Sequence, residues 1–267
     1  MTASSPAADS RPVVVDPWFA RPLRPIGGFM AMSLETFRAI GRRGFPVGEF
    51  LDQVAFITGV SLFPAVVLMV PFLGFVVFLI NQLLLQIGAI DLSGAGVGIG
   101  VLLEVAPIAS VLVVAGAGAT AITADLGART IREEIDAMEV LGINPIHRLV
   151  LPRVLASTFV AICLNAVLTA IGVAVGYVVS VKLQGASAGQ FVSNLTLLTG
   201  LKDFVIGEIK AFSYGLAAGL VACYRGLTVK GGPKGVGDAV NQTVILSFIV
   251  LFVLNSLITA ISLQVTG

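Results

Sequence analysis

No charged residue stands between Asp52 and Asp91, a stretch longer than one membrane crossing requires. A helix spans the hydrocarbon core of a bilayer, about 30 Å, in about 20 apolar residues. Four more apolar runs follow, at about Val101–Ala124, Val154–Val181, Phe204–Tyr224 and from Ala239 onward. Backbone polar groups have no water to bond inside lipid, so each such run must close its hydrogen bonds within itself as a helix. The expected fold is an all-α polytopic membrane protein with five transmembrane helices. Composition agrees: 57% of residues are hydrophobic and 12% charged, against roughly 25% charged in a soluble domain. Mean hydropathy is +1.00.

The charge between and around the runs sets the orientation. Arg38, Arg42, Arg43, Arg129, Arg132, Arg148, Arg153, Arg225, Lys230 and Lys234 fall on one side, and only Lys182, Lys202 and Lys210 on the other. Cations collect on the cytoplasmic side, which predicts the N-terminus inside and the C-terminus outside. Residues 1–26, proline-rich with scattered arginines, read as a flexible cytosolic tail. Over 27–43, Phe29, Met32, Phe37 and Ile40 share a side while arginines gather at the end, as in a helix lying in the inner interface.

Within the first run Pro64 and Pro71 are either kinks or a break beside a cavity. Ile90–Gly100, IDLSGAGVGIG, reads as a glycine-rich outer turn. Glu104 lies near the outer end of the second run, a functional candidate because intramembrane carboxylates are costly; a position in the solvated interface fits as well. Glu208 and Lys210 read as side chains that snorkel to the outer surface. Lys182–Lys202 reads as an outer loop with a short helix. Gly116, Gly118, Gly172, Gly176, Gly215 and Gly219 are spaced for close helix contact.

Thr123–Pro152 is an island of charge between the second and third runs. Ile131, Ile135, Met138 and Leu141 repeat at helical spacing, with Arg132, Asp136 and Glu139 opposite. Gly142 and Asn144-Pro145 end the pattern. This predicts an amphipathic helix over 129–143, held in the cytosol between two spans, where it could take a push from a soluble partner. A solvated helix resting on the headgroups fits the same pattern.

Several chemistries find no support. A net charge of +1 argues against a nucleic-acid binder, which needs a basic face. One histidine and two separated cysteines, Cys163 and Cys223, give no metal site, and both thiols read as buried. GGPKG has no Ser or Thr after Lys234 and no preceding strand, so it is no phosphate loop. Without a Walker A pattern the chain has no ATPase motif of its own and no catalytic residues. An intramembrane lipid-acting enzyme would need a nucleophile–base pair, and His147 sits beside Arg148 in the cytosolic stretch. An ion-coupled secondary transporter would have only Glu104 and Asp91 as relay groups.

The run GART-x-REEIDAMEVLGI-x-P-x-HRLV-x-PRVLA, with YRGLTVKGGPKGVG later, resembles the YrbE/MlaE family. Those are permease subunits of ABC-type lipid transporters that work with MCE-domain proteins. The resemblance covers the chain from about Gly27 and is nearest to the actinobacterial A-type YrbE branch of the Mce systems. It implies a permease domain over 27–267 in the inner membrane, importing lipid with energy from a cytosolic ABC ATPase. ATP and Mg would bind that partner, and this chain would carry no cofactor. Arg132, Glu133, Glu134, Asp136, Met138, Glu139 and Gly142 would take the ATPase contact. A second permease, of the B type, would complete a heterodimer, with MCE proteins on the periplasmic side. The lipid pathway would run between the outer halves of the first and second spans, near Leu73, Phe75, Leu79, Glu104 and Pro107. The family pattern Arg-Glu-Leu-Gly-Pro stands here as Leu103-Glu104-Val105-Ala106-Pro107, and Ala117 replaces a frequent arginine. The loss of two cations points to a less charged cargo: a fatty acid, mycolic acid or sterol.

Overall fold

The computed structural model describes residues 24–41 and 44–266. The expected tail up to residue 23, and Arg42 and Arg43 of the interfacial helix, lie outside the described residues. Among the described residues, helix α1 (Arg24–Ala39) precedes five helices long and apolar enough to cross a membrane. These are α2 (Val47–Gln86), α3 (Ile90–Ile131), α5 (Ile146–Leu183), α7 (Leu201–Leu227) and α8 (Gly232–Thr266). Two short helices join them: α4 (Glu134–Val140) after α3, and α6 (Ala188–Leu198) after α5. Five crossings put α1, α4 and the Lys230–Lys234 turn at one end and α6 at the other. The cation bias makes the first end cytoplasmic.

All five spans run beyond the hydrocarbon. Helix α2 has 40 residues, about 60 Å at 1.5 Å per residue, and passes through Pro64 and Pro71 without a break. Both prolines lie on its exposed side. Its buried stripe advances in steps of four, through Ile57, Ser61, Ala65, Met69, Leu73 and Val77. That is the i±4 ridge with which helices cross obliquely.

The glycine-rich stretch at 90–100 is not a turn. After Gly88, at φ +68°, the chain enters a 3-10 turn at Ile90–Leu92 and then a helix at Ser93–Ile99 that continues into the span. The glycines serve contact: a Cβ on Gly94 would overlap the Phe191 carbonyl of α6, and one on Gly98 would lie 2.6 Å from Thr199 Cγ2. Two widened π-helical turns, Gly100–Val105 and Val114–Ala119, interrupt the α-helical pattern of α3.

Helix α5 is the central member and packs most extensively on α2 and α7. A Cβ on Gly172 would sit 2.6 Å from Val101 Cγ1 and 3.0 Å from Leu73 Cδ2. One on Gly215 of α7 would sit 2.7 Å from Ala161 Cβ of α5. Small residues thus let α2, α3 and α7 approach α5 where lipid offers no hydrophobic drive. Gly118 meets Ile57 at 3.1 Å, whereas Gly116 faces nothing within 4 Å. An inner cluster (Ile57, Ile122, Leu126, Val154, Tyr214, Cys223) and an outer one (Met69, Leu73, Val97, Val101, Leu168, Phe191) form the core. Cys163, expected to be buried, is exposed on the outside of α5; Cys223 is buried as expected.

Helix α1 does not present one apolar side. Met32, Ser33, Thr36 and Ala39 are buried against the bundle, while Ile26, Met30, Leu34, Phe37 and Ile40 face outward. Gly28 lets the Tyr224 hydroxyl approach to 3.0 Å of where a Cβ would be, and Phe29 packs edge-on to Tyr224 at 5.6 Å.

Gly172→Val should lower the melting temperature of the purified protein, since overpacking costs roughly 1–3 kcal/mol. Gly116→Ala should leave it unchanged or raise it, because open space surrounds that position and alanine favours helix by about 0.8–1 kcal/mol. Thermal unfolding of both variants in one detergent checks the contrast.

Candidate functional site

In the outer half, polar groups from α3, α7 and α8 converge. Lys210 of α7 is 1% exposed and does not snorkel. Its Nζ donates to Glu104 Oε1 at 2.8 Å and to the Leu103 carbonyl at 2.6 Å. The chemistry of that carbonyl explains the second bond. Pro107, four residues on, has no N–H and cannot make the α-helical bond to it. Gly207 makes the approach feasible: a Cβ there would lie 2.8 Å from the Leu102 carbonyl. Asn255 Nδ2 donates to Glu104 Oε2 at 3.3 Å and Thr259 Oγ1 to Oε1 at 3.1 Å, both from α8. The Tyr214 hydroxyl donates to Asn255 Oδ1 at 2.5 Å. Nearby, Glu208 accepts from Asn165 Nδ2 at 3.0 Å. An ammonium, a carboxylate and their hydrogen bonds thus join three spans.

At the cytoplasmic end a second polar network surrounds Arg153, which is wholly buried at the start of α5. Its Nη1 pairs with Glu49 Oε1 of α2 at 2.9 Å and donates to the Leu149 carbonyl; its Nη2 pairs with Asp125 Oδ2 of α3 at 2.8 Å. Asp125 in turn holds Arg129 at 3.3 Å, Arg129 lies 3.9 Å from Glu134, and Glu134 bonds Arg132 at 2.8 Å. The chain of charges runs from the buried guanidinium to the first turn of α4.

The helix expected over 129–143 is divided. Helix α3 carries the chain to Ile131, Arg132 and Glu133 form a break, and α4 begins at Glu134. Glu133 has φ 60°, the one positive value at a non-glycine position among the described residues. A non-glycine residue in that region costs of order 1–3 kcal/mol and persists only where its surroundings enforce it. The apolar stripe misled because its period ran across the break. Ile135 and Met138 pack on the inner core, but Leu141 is 75% exposed and Val140 87%. Asp136, Glu139 and Gly142, the last at φ 74°, are exposed. Asn144 Oδ1 accepts the N–H groups of Ile146 and His147, and its Nδ2 donates to Glu35 of α1 at 2.9 Å. An open groove of about 630 Å³ lies between α1, α4 and the end of α7, with Glu35, Asp136 and Glu139 on its walls.

The five expected pathway residues are not brought together. Leu73 is buried and lines a cleft of about 50 Å³ between α2 and α3. Phe75 and Leu79 are exposed, two and six positions further along α2, turned away from Leu73. Glu104 and Pro107 turn toward α7 and α8, where the cleft beside Tyr214 and Asn255 measures about 10 Å³. The sequence reading takes Arg153 only as an inner-side cation and Lys210 as a snorkelling side chain, and gives Asp125, Glu49, Asn255 and Thr259 no role at a site. For Lys210 a signal existed: a glycine one turn earlier on the same face.

Residues 50–261 match the family described as Permease MlaE. A probable ABC transporter permease of Synechocystis sp. is 30% identical over 67% of this chain and 68% of its own length. One of Rickettsia conorii is 31% identical over 90% of this chain and 93% of its own. The intermembrane phospholipid transport system permease protein of Haemophilus influenzae is 27% identical over 85% and 93% respectively.

Removing one partner of the intramembrane pair should cost more than removing both. Glu104→Ala and Lys210→Met should each lower the melting temperature, and the double variant should recover part of the loss. Unfolding measurements on the four proteins should give a coupling energy of about 0.5–3 kcal/mol.

Proposed function

The chain belongs to the MlaE permease family, and on that premise we propose that it is the transmembrane permease subunit of an ABC-type lipid transport system. Five spans and a multi-pass inner-membrane location accord with that role. The finer reading is an Mce lipid importer: a cytosolic ATPase binds ATP and Mg, docks on Arg132–Gly142 and drives lipid across the inner membrane. The observation that carries it is the ion chain from Glu134 through Arg129 and Asp125 to buried Arg153. Through Glu49 and Asp125 that arginine holds α2, α3 and α5 at one point. A displacement of α4 is thereby felt by three spans. The uncovered Val140 and Leu141 at the tip of α4 support a soluble partner, since apolar side chains facing water favour being covered.

The clefts beside Leu73 and beside Asn255 are far too small for a lipid. This supports a pathway completed by a second permease, read as the B-type partner of a heterodimer, with MCE proteins delivering lipid from the periplasmic side. The exposed side of α2 bearing Phe75 and Leu79 suits one wall of such a path. Glu104 is already neutralised by Lys210, which fits a weakly charged cargo such as a fatty acid, mycolic acid or sterol. An ion-coupled transporter is less favoured: Glu104 lies in the outer half, away from the midplane where coupling-ion sites form.

Leu141→Asp and Glu134→Lys should leave the protein folded. Leu141→Asp should reduce co-purification of the ATPase about tenfold or more, the loss of about 1.4 kcal/mol of binding. Glu134→Lys should retain the ATPase but lower lipid uptake per ATP hydrolysed. Normal retention and uptake in both variants would end the coupling proposal. Glu104→Ala should lower uptake in whole cells while sparing assembly; unchanged uptake kinetics would remove Glu104 from the pathway.

A further inference from the structure

Away from the outer-half ion pair, at the cytoplasmic end, two clefts meet beneath α1. The first, about 360 Å³, has apolar walls: Ile26 and Phe29 of α1, Val221 and Tyr224 of α7, Leu246 and Val250 of α8. Its volume is within the roughly 300–1,000 Å³ of small-molecule sites. The second, about 480 Å³, shares Pro25, Tyr224 and Arg225 with the first and extends past Arg24 to Lys230. Among the described residues, no carboxylate lines either cleft.

Arg225 stands at the junction. Its Nε is buried without a hydrogen-bond partner among the described residues. No Asp or Glu of the described residues pairs with it or with Lys230. Depth follows from α1: Ile26, Met30, Leu34 and Phe37 are 60, 62, 51 and 46% exposed on its outward side. Such a stripe rests in the acyl boundary of the inner leaflet, with the flanking cations at headgroup level. An apolar slot that ends in cations at that depth has the polarity of an anionic amphiphile.

We infer that the junction of α1, α7 and α8 is a binding site for an anionic phospholipid of the inner leaflet, an acyl chain lying between Phe29 and Val250 and its phosphate on Arg225 and Lys230. The site goes beyond the transport reading: it faces the opposite leaflet from the Glu104–Lys210 pair, and its occupancy requires no ATPase. By filling the space between α1 and α8, the lipid fixes the helix whose Glu35 holds Asn144 beside α4.

Native mass spectrometry of the full purified chain in mild detergent tests this, with phosphatidylglycerol and phosphatidylcholine of identical chains and with inorganic phosphate as competitor. The wild type should retain one phosphatidylglycerol with about tenfold or greater preference, the scale that two cations supply near an anionic headgroup. Arg225→Gln should bring the two lipids to near parity, Arg225→Lys should restore part of the preference, and Leu246→Trp should reduce retention of both. Lys230→Gln, at an exposed position, should weaken the preference by itself and covers the case in which the Arg225 variants do not fold. Equal retention by the wild type overturns the inference, as does a preference that survives both Arg225→Gln and Lys230→Gln. Displacement by phosphate as effective as by phospholipid overturns the lipid as its source. Retention that emerges only once residues 1–23 are deleted assigns the cleft to the chain's own N-terminus and overturns it as well.

Discussion

A guanidinium buried at the mouth of a bilayer must have its charge met by protein, and Arg153 is met from two directions. Glu49 reaches it from α2 and Asp125 from α3, while its own helix supplies the Leu149 carbonyl. Breaking one side of a buried pair is costly, about 3–5 kcal/mol where the remaining charge is left alone. Three spans are therefore pinned at their cytoplasmic ends with little freedom to separate. The same arginine anchors the charged path that leads to α4, so this joint is tied to the solvent-facing segment.

The outer half uses a different joint for a related purpose. Pro107 withdraws a backbone donor from α3, Gly207 clears space on α7, and Lys210 enters to bond the Leu103 carbonyl together with Glu104. Helix α8 is drawn in through Asn255 and Thr259. Its remaining apolar length, Ile245, Ile249, Phe252 and Leu257, looks outward. Polar contacts are the means by which spans recognise one another in lipid, since burying leucine against leucine gains little over leaving it among acyl chains.

The fold class was legible because runs without charge admit one structure in a bilayer. What was not legible depended on contacts with other helices or on backbone geometry, which local pattern does not carry. Gly94 and Gly98 suggest a turn in water, yet here they let α3 pass close to α6. Lys210 and Arg153 stand near span ends, where long cations usually reach for headgroups; each is instead turned inward by a carboxylate on another helix, which no local pattern reveals. The interruption at Glu133 was invisible because helical periodicity continues across it while the backbone does not. Likewise Phe75 and Leu79 were grouped with Leu73 by depth, although helix geometry sends them to the other side.

The account stands on mechanical continuity between α4 and the spans, and the carboxylate that links the two is Asp125. The most direct measurement is ATP hydrolysis and lipid transfer in the same reconstituted complex carrying Asp125→Asn, which keeps the shape and removes the charge. Continuity predicts sustained hydrolysis with lipid transfer lowered about tenfold or more, a barrier increase of about 1.4 kcal/mol. Hydrolysis and transfer both at wild-type rates would contradict it.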